Sequence, residues 1–157
     1  MIVLLRRLLV VQMLMLWMGG FVFYTAVVVP IGTEVLGSAL EQSRITRWVS
    51  RSINLIGIAT LAVLLIETAC CRPARRAGIV MLVCTLSMAI LTTVLIGVRN
   101  HMLTLVNFDA MVIVNREELH GWHRVYLWTI SLQWAISVVY LLTMLSAWRS
   151  IDRMVAK

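Results

Sequence analysis

The three histidines of this 157-residue chain, His101, His120 and His123, fall in one short stretch with Asp109, Glu117 and Glu118. Imidazoles and carboxylates are the side chains that ligate zinc, copper and iron. Glu117 and His120 are three residues apart, as are His120 and His123. On a helix that spacing puts both pairs on one face, so a single helix start offers a carboxylate and two imidazoles. His101 or Asp109 would complete a transition-metal site. A haem b held between His101 and His120 or His123 is a second arrangement these residues permit. The chain has no Cys-x-x-Cys-His, which excludes a covalently attached c-type haem. It has one Glu-x-x-His, whereas di-iron carboxylate bundles need two and two further glutamates. Without any ligand, the same residues make a polar loop that meets water, headgroups and one another.

Glu67 offers different chemistry. It is the one acidic residue inside an apolar run. Such a group can relay protons or ions. Near a membrane boundary it can also reach out to pair with Arg72 or Arg75.

The elements that must position these residues are four apolar runs, at about 8–30, 53–69, 77–98 and 125–147. A hydrocarbon core of roughly 30 Å needs about 20 apolar residues in a helix, and each run meets or nearly meets that length. With 61% hydrophobic residues, the chain exceeds the soluble average of roughly 45–50%. The expected fold is all-α: a polytopic membrane protein forming one four-span bundle over residues 1–157. Segments 31–52 and 99–124 are too short to fold alone but long enough for interfacial helices. The apolar stretch 102–114 suits an interfacial segment, a lid or a docking surface. The first run is longer than a signal-peptide core and lacks an Ala-x-Ala site, so it is expected to remain as a span.

The fourth run is the best marked. Asn115 can cap a helix from Arg116, with Glu118 at the capping-box position. Trp122 to Trp148 covers about 39 Å of helix, close to a bilayer with its interfaces. Tyr126, Thr129, Gln133, Ser137 and Tyr140 follow a 3-4-4-3 spacing and share one face. Lipid would leave these groups without partners, so the stripe is expected to face the bundle. Gln12, Gly19, Phe23 and Ala26 form a comparable inward stripe on the first span, and Asn54 and Gly57 on the second. The stripes make either a polar pathway or a set of interhelical hydrogen bonds. Pro30 and Gly32 are expected to stop the first helix, and Pro73 to make a tight turn between spans two and three.

The net charge of +7 fits membrane topology better than nucleic acid, and no nucleic-acid partner is expected. Arg6, Arg7, Arg72, Arg75, Arg76, Arg149, Arg153 and Lys157 flank the spans on one side, against Asp152 alone. Both termini are therefore expected in the cytoplasm, with the histidines outside, in a bacterial inner membrane. Cys70, Cys71 and Cys84 fall on the reducing side, where a structural disulfide does not form.

The stretch WMGGFVFYTAVVVP from Trp17 to Pro30, with Asn54 on the next span, resembles the opening of small bacterial four-helix membrane families. These are grouped loosely with copper-resistance D-like membrane domains. The segment HGWHRVYLW from His120 to Trp128 resembles them too. The resemblance implies four helices and metal-linked biology. No complete catalytic motif stands in the chain. The leading expectation is a non-enzymatic accessory or scaffold protein that lies in the lipid bilayer and packs with itself or a larger membrane complex. Its rivals are a metal- or haem-binding redox protein and a small transporter.

Overall fold

A computed structural model describes residues 1–70, 75–108, 110 and 112–155. Four helices carry the fold: α1 (Ile2–Leu36), α2 (Ala39–Cys70), α3 (Arg75–Thr104) and α4 (Arg116–Val155). Each is long and apolar enough to cross a membrane. The protein is an all-α four-helix bundle, as the apolar runs predict.

The helices outrun the apolar segments that announce them. α1 continues through Pro30 and Gly32, where a stop is expected, and ends at Leu36. The reason lies just upstream. Residues Tyr24–Val28 form a wide π turn, and a second one spans Met15–Gly19. A proline inside a regular helix removes a hydrogen bond and collides with the carbonyl four residues back. A π turn already departs from that bonding pattern, so Pro30 enters a place prepared for it. The helix stops instead at Gly37, whose φ of 66° is left-handed and which donates its N–H to the Glu34 carbonyl at 3.3 Å. The Ser38 hydroxyl then accepts from the backbone N–H groups of Leu40 and Glu41. That cap starts α2 well before the apolar run at 53, so most of segment 31–52 is helix rather than loop.

Within segment 102–114 the described residues form the end of α3 and a small antiparallel hairpin. β1 (Val106–Asn107) pairs with β2 (Val112–Ile113), with Val106 opposite Ile113. The Val114 N–H closes it onto the Leu105 carbonyl at 2.9 Å. The turn read at Pro73 lies outside the described residues.

α3 and α4 pack along much of their length, α2 lies on α3, and α1 lies on α2. Trp17, Phe21 and Tyr24 of α1, Leu64 of α2, Met81 and Met88 of α3, and Tyr140 and Met144 of α4 make one continuous core. Gly57 permits a close approach of α2 to α1: a Cβ there would stand 2.5 Å from Trp17 Nε1. The outer surface is apolar over most of the helices, with Leu55, Ile90, Leu132 and Leu142 among its exposed residues. Such a surface suits lipid rather than water.

Candidate functional site

The polar residues of the bundle gather at three levels. At the end that carries both termini, Glu67 is fully buried. Its Oε2 lies 2.9 Å from Arg6 Nε, and its Oε1 accepts a hydrogen bond from the Trp148 indole N–H at 2.8 Å. Arg7, the next residue, donates two hydrogen bonds to the Asp152 carboxylate, at 2.7 and 2.8 Å. Its guanidinium also stands over the Trp148 ring, 5.1 Å from the centroid. One buried carboxylate thus joins α1, α2 and α4. The sequence neighbours Arg72 and Arg75 are the partners expected for Glu67. Arg72 is outside the described residues, and Arg75 is exposed. The observed partner comes from the first turns of α1, because helix packing brings Arg6 to the same level.

In the middle, the α4 stripe turns inward. Thr129, Gln133, Ser137 and Tyr140 are buried, and Tyr126 is half-buried. Gln133 donates to the Thr92 hydroxyl at 2.8 Å and to the Met88 carbonyl at 3.2 Å. Tyr140 donates to the Leu64 carbonyl at 3.2 Å, with the Thr68 hydroxyl 3.4 Å away. Thr129 and Ser137 donate to carbonyls of their own helix. Gln133 Oε1 and the Tyr126 hydroxyl are buried without a hydrogen-bond partner among the described residues. Asn54 is buried on α2. Most of the hydrogen-bonding capacity in this layer is spent on joining helices or within them.

α1 behaves differently. Gln12, Gly19, Phe23 and Ala26 are all exposed, on the side away from the bundle. This corrects the expected inward stripe. The face that packs on α2 is instead built from Val10, Leu14, Trp17, Phe21 and Tyr24. Bulky side chains fill that seam, and the polar amide is left on the opposite side. The Gln12 side chain has no hydrogen-bond partner among the described residues.

At the far end, the expected ligands divide. His101 Nε2 lies 3.1 Å from Glu118 Oε1, and its ring meets Trp122 edge-on at 4.9 Å. Asn115 accepts from the Glu118 N–H at 3.1 Å and donates from its own amide to Glu118 Oε2 at 3.1 Å. The cap at the start of α4 therefore forms as its spacing predicts, and it aims Glu118 at His101. Glu117, His120 and His123 are exposed. Asp109 lies outside the described residues. Among the described residues no three His, Cys, Asp or Glu side chains come together as a set able to hold a metal ion. The expected sharing of one ligand by Glu117, His120 and His123 is therefore not what the geometry supplies. The carboxylate that meets an imidazole is Glu118, across two helices.

The same end holds groups that sequence spacing did not single out. Arg99 of α3 donates from Nε to the Ser50 hydroxyl at 2.9 Å and from Nη2 to the Arg47 carbonyl at 2.7 Å, both on α2. Tyr24 donates to the Thr46 hydroxyl at 2.9 Å and accepts from the Gln42 amide at 3.4 Å, joining α1 to α2. A signal for these lay in the arginine-rich, hydroxyl-rich segment before the second apolar run, where i,i+4 spacing would have aligned Arg47 and Arg51.

No family model, curated protein or solved structure matches this chain.

Proposed function

We propose that the protein is a non-enzymatic scaffold of a bacterial inner membrane, with both termini cytoplasmic, and that it self-associates through the outward face of α1. The observation that carries this reading is the Gln12 amide, exposed within an apolar run and without a partner among the described residues. A polar group left in hydrocarbon is costly unless another helix satisfies it.

The surroundings of Gln12 favour a second copy of this chain. Leu5, Leu9, Gln12, Leu16, Gly19 and Phe23 follow a 4-3-4-3-4 spacing, and all are exposed. In a regular helix that spacing marks the seam of two helices wound about each other, and the exposure of all six residues keeps them outward through the π turn at Met15–Gly19; a single polar residue in such a seam sets the register. Two copies in one membrane share an orientation, so their α1 helices run parallel and Gln12 meets Gln12 at equal depth. An amide carries both donor and acceptor, so the pair is self-complementary. Gly19, with no atom near its Cβ position, leaves room for the approach.

The interior supports a structural role as well. Gln133, Tyr140 and Glu67 direct their polar groups to neighbouring helices, which favours a held bundle over a pathway.

In-membrane cysteine cross-linking tests the reading. With the native cysteines replaced, Leu16→Cys is expected to form a cross-linked dimer, and Gln12→Leu to weaken dimerisation roughly tenfold. A chain that stays monomeric in mild detergent and does not cross-link would overturn it. Cross-linking through α1 to a different membrane subunit would replace the second copy as its occupant.

A further inference from the structure

We propose that the end of the bundle opposite the termini holds a phosphate-bearing anion, the headgroup of an anionic phospholipid, between Arg47, Arg51 and Arg99. The three guanidinium groups come from adjacent helices. Arg47 and Arg51 are one turn apart on α2, and Arg99 of α3 is tied to the backbone of Arg47 at 2.7 Å. Arg47 and Arg51 both act on Arg99 as like charges. Among the described residues no carboxylate forms an ion pair with any of the three. Three neighbouring cations with no opposing charge among the described residues favour an anion from outside the chain.

The geometry favours phosphate. A guanidinium presents a planar fork of N–H groups that matches phosphate oxygens. Arg99 is held by Ser50, Asn100 and the Arg47 carbonyl, so it is fixed before a ligand arrives. Arg47 also lines an open cleft with Thr104, Asn107 and Phe108, and its guanidinium lies 5.3 Å from the Phe108 ring centroid.

The membrane favours a lipid as the source of that phosphate. Trp48 is 63% exposed and has Arg47 and Arg51 each 6.0 Å from its ring. Tryptophan settles at headgroup depth. Trp48, Arg51, Leu55 and Ile58 follow a 3-4-3 spacing, and all four are exposed. A phosphate at the arginines would therefore have its acyl chain lying along Leu55 and Ile58. Charge holds the head and an apolar strip receives the tail.

Native mass spectrometry of the full chain, delipidated in a neutral detergent, tests this with phosphatidylglycerol, phosphatidylcholine and inorganic phosphate as probes. The natural chain is expected to retain one phosphatidylglycerol with about tenfold preference over phosphatidylcholine. The paired substitution Arg47→Gln with Arg51→Gln is expected to bring that ratio near one. Inorganic phosphate that raises the thermal unfolding midpoint of the natural chain alone, without any lipid preference, keeps the anion site and makes a free anion its source. Equal retention of both lipids with no response to phosphate overturns the proposal, and needs no variant. A phosphatidylglycerol preference that survives the paired substitution overturns it too, because overall positive charge would then explain the binding.

Discussion

The Trp148 indole donates its N–H to the Glu67 carboxylate at 2.8 Å, in a place from which solvent is fully excluded around the acid. Arg6 stands on the other carboxylate oxygen at 2.9 Å. Breaking a buried ion pair by removing one member costs more than replacing both, because the survivor keeps its charge without an answer. Arg6 is 30% exposed, which moderates that cost. Glu67→Gln is expected to destabilise the bundle by about 1–3 kcal/mol. Thermal unfolding in detergent measures it. Arg6→Gln combined with Glu67→Gln keeps an acceptor for Trp148 and is expected to cost less than the two single variants together, and strictly additive single and double variants would show the pair to be uncoupled.

Gly57 gives a second expectation. A methyl group there would press on Trp17 Nε1 at 2.5 Å and Cε2 at 2.6 Å. The indole is itself fully buried, so it has little room to retreat. Gly57→Ala is expected to cost about 1–3 kcal/mol by forcing α1 away from α2. Gly97→Ala is the control, because nothing lies within 4 Å of its Cβ position. That change is expected to be neutral or to stabilise by up to about 1 kcal/mol through helix propensity. Equal effects at the two glycines would argue against close α1–α2 packing.

The start of α4 gives a third. Asn115→Ala removes the acceptor of the Glu118 N–H and the donor to the Glu118 carboxylate. A loss of about 1 kcal/mol is expected, with faster hydrogen exchange over the first turn of α4. Asn115→Ser keeps an acceptor without setting a second carboxylate against Glu118, and is expected to retain most of the cap. Unchanged exchange in the alanine variant would mean that contacts other than the cap hold this turn.

The parts of the structure legible in the sequence were those written in local spacing. The α4 stripe could be read because Thr129, Gln133, Ser137 and Tyr140 recur at one helical period. The Asn115 cap could be read because its partner is three residues away. Gln12 could not, since polarity alone does not say which side of a helix packs. Trp17, Phe21 and Tyr24 decided that by filling the seam with α2, and they left the amide outside. Glu67 stands out in the sequence, yet its partners Arg6 and Trp148 sit on other helices, and nothing local pairs them. The histidines show the same division. Their nearness in sequence suggested a shared ligand, while the turn of α4 exposes His120 and His123 and gives His101 to Glu118. The continuation of α1 through Pro30 is not legible in the sequence, because a π turn has no marker in composition.

The Arg7–Asp152 pair spans 145 residues of sequence. A ribosome makes the arginine long before the carboxylate that meets it. Arg6 can find Glu67 once α2 has left the exit tunnel, whereas Trp148 and Asp152 arrive only with the far end of α4. The contacts of α1 with α4 at this end therefore form later than its contact with α2 can. The bridge from α1 to α4 is thus among the later contacts that translation permits, and it ties the first of the four helices to the fourth.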